Sequence, residues 1–445
     1  MARILMATLS IPGHTNPGLP LAGELVRRGH EVRWYTSPRF REKIEATGAR
    51  FETLRDGFDL DESTLDEQFP ERRKLKGLAG VKWELNLVID NTVTWVTDLL
   101  IILKEKPADI ILADGGMLAG TLVAELTGLP CAVFSSFPLL ITGPDATPFG
   151  LGFAPSSTIL GRVRNRFLNW LVFRIVMRSV NVRTNEMRAS LGLAPMNETF
   201  FDAVVQRADL AMQATTKAFE YPRDDLPDHI HFIGPILPQL GAEFTPPAWW
   251  DDLRSGRPVV HVTQGTVATN ADDLLRPTIE GLANEEVLVV ATTGGQSVDG
   301  LADGLPSNVR LERFIPHGHL LPHVDVMITN GGYGGTQYAL AHGIPLVAAG
   351  RTQEKPEVCA RIAWAGVGID LKTKSPKPSQ VREAVKTILA EPSYKKRAQA
   401  IQRDYAQHDA PKRAAELLEE LLALNGQGLT PGGEARKGGV LVKMG

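Results

Sequence analysis

Residues 326–341 read V-M-I-T-N-G-G-Y-G-G-T-Q-Y-A-L-A: a short apolar run, four glycines around one tyrosine, and then a run of helix formers. That order leaves few structures open. It describes a buried strand that ends in a glycine turn and feeds the N-terminus of a helix. The first turn of a helix has backbone N–H groups without intrahelical partners and about half a positive charge, so an anion such as phosphate can sit there. Gly331, Gly332, Gly334 and Gly335 would let the backbone approach such a guest closely or take positive φ. A glycine-rich turn without a ligand is the competing reading, and a short glycine pattern alone does not separate the two.

The same strand-then-helix grammar runs through most of the chain. Residues 3–8 form a continuous apolar strand, followed by the loop S-I-P-G-H-T-N-P-G, in which Asn16 can cap the next helix and Pro17 suits its first turn. Strands are expected at 31–35, 50–54, 108–113 and 130–135, with 209–214 closing the first sheet and helices at 38–47 and 81–104 between them. A proline-dense crossing near Leu237 separates this half from a second alternation that starts at Pro258. The βαβ repetition predicts an α/β chain with two Rossmann-like, doubly wound parallel-sheet domains facing across a crevice. The expected limits are 1–237, 238–424 and a Gly-rich, flexible tail at 425–445.

Parallel sheets bind ligands at the carboxyl ends of their strands, so residues just past those ends are the candidates for chemistry. His14 follows the first strand and Asp114 ends another, ahead of Gly115-Gly116. A carboxylate that sets an imidazole tautomer makes the far nitrogen a general base. The competing reading is a polar loop histidine and a helix-capping aspartate. In the second half, Gly265-Thr266 and Gly294-Gly295 end strands on the same edge as the opening stretch. Asp59 and Asp61 spell D-x-D, which could hold a divalent cation, but an acidic run with no strand before it reads better as solvated loop.

Composition excludes several partner classes. A formal charge of −3 gives no electrostatic case for nucleic acid. No uninterrupted apolar run reaches the length of a membrane span, so no stable membrane insertion is expected. The arginines at 162, 164, 166, 174 and 178 read as a solvated helix face rather than a lipid patch. Cys131 and Cys359, both in apolar or helical contexts, suggest a reducing compartment; a cytoplasmic protein, monomer or homodimer, is the expectation. No G-x-G-x-x-G with a following ribose acid opens either domain, which weakens a nicotinamide reading.

Five ordered motifs carry a family resemblance: S-I-P-G-H-T-N-P-x-x-P-L-A-x-E-L-x-x-R-G-H-E-V, the linker I-G-P, the strand end Q-G-T, R-F-I-P-H, and T-N-G-G-Y-G-G-T-Q-Y-A-L-A-H-G-I-P-L-V. Together they resemble the family 1 nucleotide-sugar glycosyltransferases of the bacterial macrolide type, with the two-domain GT-B fold, over nearly the whole chain. The resemblance implies His14 as general base and Asp114 as its orienting acid. It implies Phe314 stacking on the nucleobase, with Ile315 and His317 making backbone and ribose contacts. Asn330, Gly332, Gly334, Gly335 and Thr336, supported by Thr266, would meet the pyrophosphate. Glu354 and Lys355 would hold donor-sugar hydroxyls. Neither a metal nor a cofactor is implied beyond the nucleotide-sugar co-substrate and a small-molecule acceptor.

The family's common motif has His where this chain has Asn330, Glu where it has Tyr338, and Gln where it has Lys355. A phenol cannot replace a bidentate carboxylate on the ribose, so dTDP-sugars are expected to be tolerated beside UDP-sugars. A lipophilic acceptor is expected among the loops at 56–87 and 138–193. A sugar-nucleotide epimerase and a non-catalytic nucleotide-sugar-binding partner protein are the alternative readings.

Overall fold

The computed structural model describes residues 1–426 apart from 63, 76, 140, 238–243 and 266–269. The proposed linker start and tail therefore lie largely outside the described residues. Seven parallel strands form the first sheet: β1 (Arg3–Ala7), β2 (Glu31–Thr36), β3 (Arg50–Thr53), β4 (Ile110–Asp114), β5 (Cys131–Ser135), β6 (Leu210–Gln213) and β7 (Ile230–Phe232), in the order β3-β2-β1-β4-β5-β6-β7. Six more, β8 (Val259–Thr263), β9 (Leu288–Thr292), β10 (Val309–Glu312), β11 (Val326–Thr329), β12 (Leu346–Ala348) and β13 (Gly368–Asp370), form the second in the order β10-β9-β8-β11-β12-β13. Both sheets are doubly wound, with the order reversing between β1 and β4 and between β8 and β11.

Central strands such as β1, β4, β5, β9 and β11 are apolar along most of their length because both of their faces are covered. On β1, Leu5 and Ala7 pack beneath the helices Leu78–Glu105 and Leu118–Thr127, while Ile4 and Met6 pack under Gly18–Arg27. The helix Leu78–Glu105 is long and apolar enough to cross a membrane by length and composition. Here Ile89, Val96 and Leu99 bury its stripe against the first sheet.

Three features depart from the sequence expectation. β7 extends the first sheet beyond 209–214, using residues assigned to the linker. Asn16 does not cap the helix Gly18–Arg27; it ends a one-turn helix, Pro12–Thr15, that carries His14. The last helix, Ala410–Gly426, crosses back to the first sheet, where Ala414, Leu417, Leu418 and Leu421 pack beside Leu21, Leu25 and Val32. Residues 410–424, grouped by sequence with the second domain, thus complete the core of the first.

The two halves also meet through polar contacts. Gln213 Nε2 donates to the Tyr333 hydroxyl at 3.4 Å, and the Thr215 and Tyr405 hydroxyls lie 3.2 Å apart. Arg361 of the helix Lys355–Trp364 is buried between Glu220, at 2.6 Å, and Glu357, at 3.1 Å, and lies over the Tyr221 ring. Glu357 in turn accepts from the Gly150 and Gly152 amides, which ties the 138–158 loop to the second half.

Candidate active site

The one-turn helix after β1 turns His14 towards the end of β4. Its Nδ1 lies 2.5 Å from Asp114 Oδ1, across the switch point of the first sheet. Asp114 is fully buried, and its carboxylate also accepts from the Leu9 amide (Oδ2) and the Gly116 amide (Oδ1), both at 2.7 Å. Three donors on two oxygens leave the carboxylate no freedom to turn. The glycines after Asp114 make the approach possible: a Cβ on Gly116 would lie 2.7 Å from His14 Cε1, and one on Gly115 would lie 2.7 Å from the Phe137 ring. Phe137 in turn flanks the imidazole, with ring centroids 5.9 Å apart.

Burial disfavours the imidazolium, but the Asp114 charge and hydrogen bond outweigh it, with help from Glu62 and Glu354, and the His14 pKa is raised. The contribution of Glu354 is informative because that residue belongs to the second half. Glu62, from the acidic 55–67 stretch, has its own carboxyl pushed up by burial, countered by His14 and Lys355. It accepts from Gln353 Nε2 at 3.4 Å, and Gln353 accepts from Lys355 Nζ at 2.8 Å. Three carboxylates from both halves therefore act on one imidazole, with Lys355 beside Glu62. Sequence alone does not single out Glu62, which is one acid among several. The neighbouring D-x-D is spent otherwise: Asp59 accepts from the Ser37 hydroxyl at 2.7 Å and Asp61 pairs with Arg39.

At the second switch point the glycine stretch forms the expected junction. β11 ends at Thr329, Gly331 takes φ +81°, and the helix Tyr333–Ala341 begins with no side chain capping it. Gly331 also lets the next helix close in, since a Cβ there would lie 2.7 Å from Cys359 Sγ. The N-terminus of that neighbouring helix carries Glu354 and Lys355 to the same edge. Gly334 is exposed and Gly332 and Gly335 half-buried, so the first turn of the helix reaches the surface.

Several predicted side chains are committed within this turn. The Asn330 amide donates to the Gln264 carbonyl, and its oxygen accepts from the Gly332 amide at 3.2 Å. It thereby ties the end of β11 to the end of β8. The Thr336 hydroxyl donates back to the Gly332 carbonyl at 3.0 Å, which leaves its buried side chain facing its own turn. Ile315 is buried in the core, so that its backbone alone remains for a ligand. Phe314, just after β10, is 64% exposed. His317 sits between His261 and Tyr338, with ring centroids 5.6 and 5.5 Å away, and burial lowers its pKa to about 4. Thr266 lies outside the described residues. Among the described residues, no group of three His, Cys, Asp or Glu side chains could hold a metal ion.

The arrangement can do two things at once. It can take a proton at His14 Nε2, since Nδ1 is engaged with Asp114, and it can receive negative charge at the uncapped helix.

Comparison with known proteins places this geometry. Residues 277–421 match the Erythromycin biosynthesis protein CIII-like, C-terminal domain family. The 4'-demethylrebeccamycin synthase of Lentzea aerocolonigenes is 45% identical over 95% of this chain and 100% of its own. UDP-glycosyltransferase 2 of Phaeomoniella chlamydospora is 32% identical over 94% of this chain and 96% of its own. The crystal structure of the glycotransferase of kitacinnamycin superposes with a TM-score of 0.74 at 21% identity, covering 94% of this chain and 98% of that one. The chain therefore belongs to the family 1 glycosyltransferases, enzymes of the natural-product type that use nucleotide sugars and share the GT-B fold.

Proposed function

We propose that the protein transfers a hexose, with inversion at the anomeric carbon, from a nucleoside diphosphate sugar to a hydroxyl of a small lipophilic acceptor such as a phenolic, a polyketide or a macrolide. UDP-glucose is the first donor to test and dTDP-sugars the second. The observation that carries the reading is the His14–Asp114 pair at one switch point, with Glu354 of the other half close enough to help raise the His14 pKa.

The Nδ1–H of His14 donates to Asp114, so Nε2 presents the lone pair. It removes the acceptor hydroxyl's proton as the oxygen attacks the anomeric carbon from the face opposite the diphosphate. The bond from carbon to the diphosphate oxygen breaks, and its electrons leave with the nucleotide. Asp114 stabilises the imidazolium that holds the proton. The first-turn amides of the helix Tyr333–Ala341 meet the leaving charge, while Asn330 shapes their turn. Phe314 is the platform for the base, Ile315 lends it backbone contacts, and His317 with Tyr338 borders the ribose. Glu354 and Lys355 are the groups for sugar hydroxyls. A relative named as a UDP-glycosyltransferase supports uridine; Tyr338, a single hydroxyl in place of a carboxylate, supports tolerance of thymidine.

The test is incubation of the purified protein with UDP-glucose or dTDP-glucose, with and without a panel of phenolic and macrolide acceptors, followed by mass analysis. Acceptor-dependent glucosides that vanish in His14→Ala, with UDP affinity retained, are expected. Conversion of donor without acceptor would support an epimerase instead, and undiminished turnover by His14→Ala would remove His14 as base. A dTDP-sugar at least about a hundredfold poorer in kcat/KM than its UDP counterpart would refute the tolerance, a factor of about 3 kcal/mol in transition-state binding.

A further inference from the structure

The helix Ile159–Leu171 has its polarity reversed. A surface helix normally buries its apolar stripe. Here the buried positions are Gly161 and Asn165, and the helix is held down by polar bonds: Asn165 Nδ2 donates to the Pro144 carbonyl at 3.1 Å and Asn169 Nδ2 to the Ala146 carbonyl at 3.2 Å. Ile159, Leu160, Val163, Phe167 and Trp170 are each more than half exposed, the first two 83%. At about 100° per residue these five fall within an arc of about 100° on the helix. Phe167 and Trp170 stack on one another at 6.2 Å, and Ile175 and Val182 continue the exposed apolar surface into the next helix.

Charge borders this face in a pattern that composition alone hides. Between residues 146 and 185 there are six arginines and no acidic residue, in a chain whose formal charge is −3. On the helical projection Arg162 and Arg166 lie on one side of the apolar arc and Arg164 on the other. Among the described residues, Arg162 pairs with Asp145 and Arg183 with Asp90, while Arg164, Arg166, Arg174 and Arg178 have no carboxylate partner. The arginines are solvated, as their sequence suggests, but the face they enclose is not polar.

We infer that this face is a docking surface for an anionic lipid bilayer, on which the helix lies in the interface with its apolar arc among the acyl chains and its arginines at the headgroups. An exposed arc of Phe, Trp, Leu and Ile flanked by cations on both sides is the pattern that binds in the plane of such an interface. Charge argues against the other occupants. A second copy seated face to face would bring two arginine sets together. Residues 427–445 carry three basic side chains and one acidic, so they do not complement the face either. The inference stands apart from the assignment of His14, because it uses no residue of the donor site.

The experiment is co-sedimentation of the full chain with sucrose-loaded vesicles of phosphatidylcholine alone or with phosphatidylglycerol, at low and at high salt. Alongside it run the triple variant Leu160→Glu, Phe167→Glu, Trp170→Glu and the variant Arg166→Gln, Arg174→Gln, Arg178→Gln. The apparent partition coefficient is expected to be about tenfold or more higher for the anionic vesicles and to fall with salt. Both variants should lose most of it while binding UDP as the parent does, which shows that they are folded. Equal partition into neutral vesicles, no partition at all, or unchanged partition by folded variants would overturn the inference. So would a concentration-dependent dimer in sedimentation velocity that the triple variant abolishes without any vesicle binding by the parent.

Discussion

Replacing Asp114 by Asn keeps the shape of the buried side chain and removes its charge. The carboxylate takes three hydrogen bonds, from His14 Nδ1, the Gly116 amide and the Leu9 amide. An amide placed with its oxygen towards His14 and Gly116 turns its NH2 on the Leu9 N–H and leaves that donor unsatisfied. The expected loss of stability is about 1–3 kcal/mol, the cost of one orphaned buried group. The loss of rate is larger. An imidazolium and a carboxylate with charge centres about 4 Å apart interact by about 4 kcal/mol at an effective dielectric of about 20. That stabilisation exists only once His14 has taken the proton, so its removal should lower kcat by about a thousandfold.

The pH profile should move as well. Because Asp114 raises the His14 pKa above the ordinary 6.5, the acid limb of kcat/KM should lie above that value in the parent and shift down in Asp114→Asn. Stability runs in the opposite sense: the increment from charged His14 is fully present below the unfolded pKa and fades as pH rises through the folded one. Acceptor-dependent product formation followed by mass across the pH range, with thermal unfolding as control, measures all three effects. A folded Asp114→Asn enzyme with kcat within a few fold of the parent and an unmoved acid limb would refute the reasoning.

Further expectations rest on other residues. Glu62→Gln should move the acid limb down by less than Asp114→Asn does, because Glu62 is a smaller contributor to the raised His14 pKa; an unchanged profile would separate it from the imidazole. Tyr338→Glu should favour UDP- over dTDP-glucose by about ten- to a hundredfold in kcat/KM, the worth of a charged hydrogen bond to the 2′-hydroxyl; an unaltered ratio would move the ribose elsewhere. Arg361→Met leaves Glu220 and Glu357 buried without their cation and should cost about 3–5 kcal/mol in urea unfolding, whereas a loss below about 1 kcal/mol would mean the cluster does not hold the halves together.

The two sheets were legible in sequence because strands covered on both faces are written as apolar runs, and because a histidine or aspartate just past such a run can lie only at the sheet's carboxyl edge. For the same reason His14 and Asp114 could be paired across 100 residues. β7 and β13 were not legible, since three-residue strands such as Ile230–Phe232 are too short for a periodicity to declare itself. The return of Ala410–Gly426 to the first sheet is a tertiary choice: its stripe of alanines and leucines would fit either core. Glu62 is one acid in a polar loop, and only the fold decides that it lies half-buried within electrostatic reach of His14 while Asp59 and Asp61 serve Ser37 and Arg39. In sequence Asn330 reads as a substituted phosphate ligand, but its amide satisfies backbone groups on two strand ends, a use that its residue type permits and its position in the motif conceals. In the helix Ile159–Leu171 the arginines mark a solvated face in the sequence, but do not show that the apolar side chains between them would face water too.

The central claim is that an oxygen deprotonated by His14 displaces the diphosphate from the opposite face. The most direct measurement is the anomeric configuration, by proton NMR, of the glucoside made from UDP-α-D-glucose and a phenolic acceptor. The account predicts the β-glucoside alone. An α-glucoside would contradict it, because retention requires a front-face or double displacement in which His14 and Asp114 have no such role.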